Sequence, residues 1–276
     1  MTRSVLITGC SSGIGLDFAQ TLHRRGWQVL ATCRKQADCD RLTAEGLTSF
    51  ILDHDEDASI TNAIQTTLKL TEGRLDAVVL NGAFAQPGAM EDIPRDAMRA
   101  VYETNLFGPF EIIRQVIPVM REQGHGRIVN ISSVLGILPL RMRGPYCGTK
   151  FAMEGMTQAL RLELAGSGIH VSVIQPGPIT SRIRQNAAAH FERWIDWENS
   201  AQRKVYEKSL MPRLYANKER PDRFELPPSA CTKKLIHALE HAHPRPKYRV
   251  TVPTTLGEIV RRALPTSLQD RLLVKQ

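Results

Sequence analysis

The segment Thr8-Gly-Cys-Ser-Ser-Gly-Ile-Gly15 decides the fold class of this chain. It follows the apolar run Val5-Leu6-Ile7 and opens a pattern in which Ile14, Phe18 and Leu22 share one helical face. Its three glycines allow a tight turn and a close approach of backbone to a pyrophosphate, and the helix N-terminus offers free N–H groups to that anion. A glycine-rich turn between a strand and a helix predicts a dinucleotide-binding βαβ unit.

Short apolar runs alternate with helical patterns along the rest of the chain. Most runs are continuous, as in Ala77-Val78-Val79-Leu80, which is typical of parallel strands buried on both faces. Predicted strands are 5–7, 29–31, 50–52, 77–80, 128–131, 171–174 and 248–252, and predicted helices are 13–25, 36–45, 57–72, 94–122 and 146–166. The predicted fold class is α/β: one Rossmann-like, doubly wound parallel sheet of about seven strands with helices on both faces. We expect residues 1–276 to form a single domain.

The residues after the second predicted strand indicate the cofactor. In such folds an acidic residue about 20 positions after the glycines binds the ribose 2′-hydroxyl of NAD. No Asp or Glu occurs between Asp17 and Asp38, and Arg34 and Lys35 stand at the expected place. A guanidinium can pair with the 2′-phosphate of NADP, although Arg34 could also be an ordinary surface arginine. We therefore predict NADP(H) as the cofactor.

The segment Tyr146-Cys-Gly-Thr-Lys150 places a phenol and an ammonium on one face of a predicted helix. A free phenol has a pKa of about 10, and a nearby ammonium stabilises the phenolate, so we expect a lowered pKa for Tyr146. Tyr146 could then give a proton to a carbonyl or take one from an alcohol. Ser133, at the end of the fifth predicted strand, could hydrogen-bond the reacting oxygen, while the cofactor carries the hydride.

Together these motifs resemble those of the short-chain dehydrogenases/reductases, over about residues 3–182. The resemblance implies that Ser133, Tyr146, Lys150 and Asn105 are catalytic, with Asn105 holding a water in a proton relay. It also implies that Asp53 fixes the adenine ring and that residues 176–180 close over the nicotinamide. The cofactor contacts expected from the turn and the resemblance are Gly9, Ser11, Ser12, Gly13, Ile14, Gly15, Arg34, Asp53, Asn81, Tyr146, Lys150, Pro176, Gly177, Ile179 and Thr180.

Local sequence narrows the resemblance and shows one departure from it. The glycine turn, Ala31-Thr-Cys-Arg34 and the Tyr146–Phe151 segment are similar to those of 17β-hydroxysteroid dehydrogenases, retinol dehydrogenases and bacterial NADP-dependent aldehyde reductases. The family's Asn-Asn-Ala-Gly turn reads Leu80-Asn-Gly-Ala83 here, so the glycine is displaced by one position.

Residues 183–227 break the strand–helix rhythm and are rich in aromatic side chains. We expect this insertion to cap a substrate cleft, the alternative being a pair of ordinary surface helices. Val134, Leu135, Leu138, Phe84 and residues 180–215 would line the cleft and select a small apolar alcohol or carbonyl compound. Reduction with NADPH is the predicted direction.

The positive charge lies in the C-terminal quarter of the chain. Residues 1–202 carry 20 Lys/Arg and 21 Asp/Glu, whereas residues 203–276 carry 16 and 7. The basic region 228–276 could be a solvated surface, or its segment 256–274 could contact a membrane peripherally. Docking on the protein's own core is favoured, because Pro265 divides the segment into short pieces.

Composition limits the remaining possibilities. The five cysteines are scattered without a CxxC pair, and neither a signal peptide nor a long apolar span is recognisable, so we predict a cytoplasmic protein with reduced thiols. We predict no metal site and no nucleic-acid partner; a homodimer or homotetramer is implied by the resemblance only. The rival function is a non-catalytic NADP(H)-binding redox sensor or scaffold acting through the basic C-terminal region.

Overall fold

The computed structural model describes residues 2–216 and 222–274. Its sheet contains β1 (Ser4–Ile7), β2 (Gln28–Cys33), β3 (Thr48–Ile51), β4 (Ala77–Leu80), β5 (Gly126–Ile131), β6 (Ile169–Gln175) and β7 (Lys247–Arg249). The order is β3-β2-β1-β4-β5-β6-β7, and every neighbouring pair is parallel. The strand order reverses between β1 and β4, which is where open α/β sheets bind ligands. The Rossmann-like sheet predicted from the sequence is confirmed.

Helices cover both faces of this sheet. They are α1 (Gly13–Arg24), α2 (Gln36–Ala44), α3 (Asp57–Leu70), α4 (Arg95–Tyr102), α5 (Gly108–Glu122), α6 (Gly144–Glu163), α7 (Ile183–Trp194), α8 (Arg203–Val205), α9 (Met211–Leu214), α10 (Ser229–Glu240), α11 (Val252–Ala263) and α12 (Thr266–Leu273). Phe18 of α1 and Leu235 of α10 lie in the buried cluster on one face of the sheet. Ile60 of α3 and Ile112 of α5 lie in the cluster on the other face. Alternate strand residues supply the sheet side of each cluster, as two-sided burial requires.

Two predicted elements differ from the observed ones. The helix predicted over 94–122 is divided by a π-helical turn at Glu103–Phe107. Pro109 follows this turn and has no N–H to donate to the carbonyl four residues earlier. The regular series of α-helical hydrogen bonds is therefore interrupted there. The strand predicted over 248–252 ends at Arg249, and α11 begins at Val252 with a proline in its first turn.

The segment predicted to cap the cleft has an apolar core of its own. Phe191 and Tyr206 are buried in a third cluster with residues from the loop after β4. The Tyr206 hydroxyl donates to Asp92 Oδ2 at 2.6 Å and accepts from the Ala89 N–H at 2.8 Å. Several aromatic residues expected to face a substrate therefore fix the cap to the body instead.

The C-terminal helices dock on the body, as the sequence favoured, but not through their apolar residues. Thr254, Gly257 and Glu258 form the buried side of α11. Leu256 and Ile259, on its other side, are exposed. No helix in the described ranges is both long and apolar enough to cross a bilayer.

Candidate active site

The six turns that follow β1 to β6 contain the predicted site residues. Gly9, Arg34, Asp53, Asn81, Ser133 and Pro176 each lie one to three residues beyond the end of a strand. Because all strands are parallel, these positions meet along one edge of the sheet. The topology therefore assembles the site from segments that are distant in sequence.

The glycine turn forms a cradle of bare backbone, and replacing its glycines by larger residues would distort it. Gly9 and Gly13 have φ angles of +71° and +59°, in the left-handed region. A Cβ atom on Gly15 would lie 2.2 Å from the Gly9 carbonyl oxygen, and one on Gly9 would lie 2.7 Å from the Gly82 Cα. Ser12 precedes α1 in an extended conformation at its N-cap position. Bare backbone at a helix N-terminus fits a dinucleotide pyrophosphate.

The turn after β4 is tied to this cradle despite its displaced glycine. The Asn81 side-chain amide donates to the carbonyls of Thr8 and Gly9 at 3.1 and 3.0 Å. The Thr8 hydroxyl accepts the backbone N–H groups of Asn81 and Gly82, both at 3.0 Å. Three hydrogen bonds of Asn81 and one of Gly82 therefore join the turn after β4 to the protein's own glycine turn after β1.

His54 gives a steric reason for the displaced glycine. Its ring is buried behind Gly82, where a Cβ atom would lie only 2.8 Å from His54 Cε1. His54 Nδ1 is 2.8 Å from the carbonyl oxygen of Thr104, and Nε2 has no hydrogen-bond partner among the described residues. Burial lowers the pKa of this histidine, so the ring is neutral near pH 7. A neutral ring bonded through Nδ1–H occupies the space that an alanine at position 82 would need.

Ser133, Tyr146 and Lys150 lie together at the carboxyl end of β5. The Lys150 ammonium is 5.5 Å from the centre of the Tyr146 ring and donates to the Ile131 carbonyl at 2.9 Å. Ser133 begins a short 3₁₀ turn, and its hydroxyl accepts the Leu135 N–H at 3.1 Å. Tyr146 and Lys150 are both buried, at 7% and 2% exposure. The phenol and the amine thus share one face of α6, as their spacing predicts.

The prediction that the pKa of Tyr146 is lowered is wrong for this structure. Burial raises the pKa of Tyr146 to about 12, against a smaller lowering by the Ser133 side chain. Burial lowers the pKa of Lys150 to about 8, although Glu154 acts in the opposite direction. The ammonium is directed to the Ile131 carbonyl, and the cost of burying two charged forms exceeds their attraction. Near pH 7 the pair is therefore a neutral phenol beside a charged amine.

The Asn105 side chain is occupied by protein groups. Its Oδ1 accepts the Phe84 N–H at 2.9 Å, and its Nδ2 donates to the Phe84 carbonyl at 2.8 Å and to the Thr149 hydroxyl at 3.3 Å. Asn105 is fully buried in the π-helical turn. These bonds fix the chain after β4 against α6, one residue from Lys150. Both donations of the Asn105 amide therefore go to protein groups. The water-holding role implied by the resemblance stays a prediction.

The residues predicted to bind the adenine half of the cofactor are more exposed than Tyr146 and Lys150. Arg34 is exposed directly after β2, and Asp53 follows β3 with its Oδ1 accepting the Asp55 N–H at 3.2 Å. Arg41 of α2 reaches the glycine turn and donates to the Ser11 carbonyl at 2.7 Å. Arg41 is also paired with Glu45 at 3.0 Å, so Arg34 is the cation that this end of the groove offers to a phosphate group.

The loop after β6 is held by contacts with later segments. A Cβ atom on Gly177 would lie 2.0 Å from the Thr251 hydroxyl, so only glycine fits there. Ile179 forms an isolated bridge with Leu226, and the Thr180 hydroxyl donates to Glu225 at 2.8 Å. Pro176 accepts the Val134 N–H at 2.6 Å through its carbonyl. Residues 176–180 therefore connect the catalytic end of β5 to the cap.

The expected cleft residues lie in the segments after β4 and β5, and the cap contacts one of them. Val134, Leu135 and Leu138 are partly exposed beside the 3₁₀ turn. Phe84 is buried under α7, where its ring stacks on His190 at 3.9 Å and 10°. The walls near the reacting phenol are thus apolar, while His190 adds a polar edge that the sequence did not predict.

Several residues that support the site were missed in the sequence. Thr8, His54, Thr149 and Glu154 act through tertiary hydrogen bonds or charge, which local patterns do not reveal. Glu154 could have been found, since it lies one helical turn after Lys150 on the same face. Its carboxylate accepts from the Gln175 amide at 2.9 Å and pairs with Lys247 at 3.2 Å.

Comparisons with known proteins agree with this arrangement. A family model described as short chain dehydrogenase matches residues 3–191. The uncharacterized oxidoreductase YbbO of Escherichia coli K12 is 36% identical over 273 residues, covering 99% of this chain and 94% of that protein. Retinol dehydrogenase 16 of Mus musculus is 32% identical over 279 residues, covering 98% and 87%.

Solved structures show the same fold. A short-chain dehydrogenase/reductase of Burkholderia phymatum in complex with NAD superposes with a TM-score of 0.80 at 20% identity, covering 97% of this chain and 95% of that one. Other structural neighbours are described with NADPH or NADP bound. Both dinucleotides therefore occur among proteins with this fold.

Proposed function

Because the chain belongs to the short-chain dehydrogenase family, and is an oxidoreductase of that family, we propose that it interconverts an apolar alcohol and its aldehyde or ketone with NADP(H). The observation that carries this proposal is the grouping of Ser133 with the buried Tyr146 and Lys150, at the same edge of the sheet as the glycine cradle. When bound, the dinucleotide supplies or accepts the hydride. The protein's own residues orient the substrate oxygen and move the proton.

The protonation state of Tyr146 suits the proposed reduction of a carbonyl. A phenol whose pKa is raised to about 12 stays protonated at neutral pH, so it can donate to a carbonyl oxygen as that oxygen gains negative charge. Ser133 stabilises the same oxygen by a hydrogen bond. Lys150, charged below a pKa of about 8, stabilises the phenolate left after the transfer. The product is an alcohol, formed by one hydride on carbon and one proton on oxygen.

The preference for NADP(H) over NAD(H) is argued from charge. The position after β2 has no carboxylate that would repel a 2′-phosphate, and Arg34 is exposed there. A guanidinium binds a phosphate through two parallel hydrogen bonds, and the serines at positions 11 and 12 add further donors. Asp53, Ile179 and Thr180 complete the proposed cofactor contacts at the two ends of the groove.

The proposed substrate class rests on the cleft residues and on a similar protein, and the proposed location rests on the cysteines. Val134, Leu135, Leu138 and Phe84 give the cleft an apolar surface, which suits a retinoid-, steroid- or aldehyde-like compound. The similarity to a retinol dehydrogenase supports that class. We propose a cytoplasmic homo-oligomer; the five buried free cysteines among the described residues agree with a reducing compartment.

Two substitutions with matched controls test the function. Tyr146→Phe should lower kcat by at least about a hundredfold on a panel of aldehydes, ketones, steroids and retinoids, because it removes the proton donor. Tyr248→Phe, which removes a phenol hydroxyl bonded to His237 and Arg245 outside the proposed site, should leave kcat unchanged. Arg34→Leu should raise KM for NADPH at least about tenfold without affecting KM for NADH, and the exposed Arg74→Leu should change neither. Tight NADPH binding with no turnover on this panel would support the sensor or scaffold instead.

A further inference from the structure

Helices α11 and α12 carry an apolar surface on the outside of the molecule. Val252, Leu256 and Ile259 lie at i, i+4 and i+7 along one side of α11 and are 54%, 54% and 55% exposed. Leu268 and Leu272 of α12 are also exposed, at 42% and 51%. These five side chains are called the C-terminal apolar surface below. A surface helix of a soluble protein normally turns its apolar side inward, so this orientation needs an explanation.

The orientation of α11 is fixed by contacts on its polar side. Glu258 is buried and paired with Arg262 at 2.7 Å and with Arg249 at 3.5 Å. The Thr254 hydroxyl is 3.0 Å from that of Thr251, in the buried junction with the loop after β6. Gly257 lies so close to Leu138 that a Cβ atom would be 3.2 Å from Leu138 Cδ1. The helix cannot rotate its leucine and isoleucine inward without breaking the pair between Glu258 and Arg249 and the packing of Gly257 on Leu138.

Helices α11 and α12 are joined by a hydrogen bond, and together they carry the C-terminal apolar surface. The Gln269 amide of α12 donates to the Leu264 carbonyl at 2.8 Å, which closes the turn between the helices. The Arg261 guanidinium lies 5.0 Å from the ring centre of Phe151 in α6, so the pair is also attached to the catalytic helix. The apolar surface therefore has a defined position on the body, on the side of α11 that faces away from Leu138.

Charge decides which partner fits this surface. Arg261, Arg262 and Arg271 are exposed on α11 and α12, with Arg262 paired to Glu258, and Asp270 is the exposed acid in the described residues of these helices. The two helices therefore carry a net positive charge, and pairing with a second copy would bring two surfaces of the same sign together. Anionic lipid headgroups would instead pair with the arginines while the leucines enter the acyl boundary.

We propose that the C-terminal apolar surface binds the face of an anionic lipid bilayer, with α11 lying in the plane of the interface. The binding is peripheral and reversible, since it rests on five apolar side chains and three arginines. The opposite side of α11 packs on Leu138 through Gly257, so one helix would separate the bilayer from the proposed cleft, and the bound protein would take its apolar substrate from the lipid phase. That last clause rests on the proposed function, whereas bilayer binding does not.

Vesicle sedimentation of the full chain tests the proposal. We expect the wild type to bind phosphatidylcholine vesicles that contain phosphatidylserine, to bind pure phosphatidylcholine more weakly, and to be released by salt. L256S/I259S should reduce the partition coefficient at least about tenfold, and Arg271→Gln about fivefold. The matched control Leu70→Ser replaces an exposed leucine on α3 and should bind as the wild type does.

Two further measurements make the outcome decisive. Circular dichroism and turnover of a water-soluble aldehyde show whether L256S/I259S is folded and active, and turnover of that aldehyde is independent of lipid. Failure of turnover with intact vesicle binding would count against the proposed function alone. Absence of wild-type binding at low salt, or equal loss in Leu70→Ser, would overturn the bilayer proposal. So would a concentration-dependent dimer in sedimentation velocity that L256S/I259S abolishes.

Discussion

Lys150→Met should make the protein more stable near pH 7 while it removes activity. Lowering the pKa of Lys150 from 10.5 to about 8 disfavours the charged form in the folded protein by about 3 kcal/mol. Methionine has a similar length and no charge, so the variant escapes this cost. It also leaves the Ile131 carbonyl without the donor now 2.9 Å away, which costs about 1–2 kcal/mol. The expected net gain at pH 7 is about 1–2 kcal/mol in the free energy of unfolding.

The pH dependence of this gain identifies its cause. Between pH 8 and 10.5 the unfolded wild type binds more protons at this lysine than the folded protein does, so wild-type stability rises with pH there. The penalty that the variant escapes falls to about 1 kcal/mol at pH 10, and the advantage of Lys150→Met then disappears or reverses. Tyr146 is present in both proteins, so its own titration cancels in the difference.

Urea unfolding of wild type and variant at pH 7 and pH 10 measures the effect. Lys69→Met, at an exposed lysine on α3, is the control and should show no change in advantage between the two pH values. A Lys150→Met protein that is less stable than wild type by the same amount at both pH values would refute the electrostatic argument. It would mean that the hydrogen bond to Ile131, rather than the buried charge, dominates the energetics of this residue.

Three other predictions follow from the site. Gly82→Ala should destabilise the protein by about 1–3 kcal/mol, because the new Cβ would meet the His54 ring. Adding His54→Val should recover most of that loss. If thermal unfolding showed that the two substitutions lower stability additively, the steric coupling would be contradicted. Asn105→Ala should cost about 2–4 kcal/mol in urea unfolding, since the buried N–H and carbonyl of Phe84 both lose their partners, and a cost below about 1 kcal/mol would show that water replaces the amide. The rate of carbonyl reduction at saturating NADPH should fall as pH rises through about 8, where Lys150 loses its charge, and Lys150→Arg should move this fall to higher pH; an identical profile for both proteins would assign the titration to another group.

The sequence by itself determined the local geometry of the site. A turn that needs left-handed backbone at Gly9 and Gly13 is visible as glycine, and buried parallel strands are visible as continuous apolar runs. The helical period alone places Tyr146 and Lys150 on the same side of α6. Strand order then follows from the βαβ connections, so the edge of the sheet where the site residues meet was predictable.

Tertiary structure alone decided the energetics at those positions. Whether an ammonium acidifies a phenol depends on how deeply both are buried and on what else accepts the ammonium, and here burial and the Ile131 carbonyl reverse the expected direction for Tyr146. The fit of His54 behind Gly82 joins segments that are far apart in the chain, and the outward apolar side of α11 accompanies the pairing of Glu258 with Arg249 of β7. Spacing along a chain records backbone periodicity, whereas solvation, charge and steric fit depend on which distant side chains pack around a group.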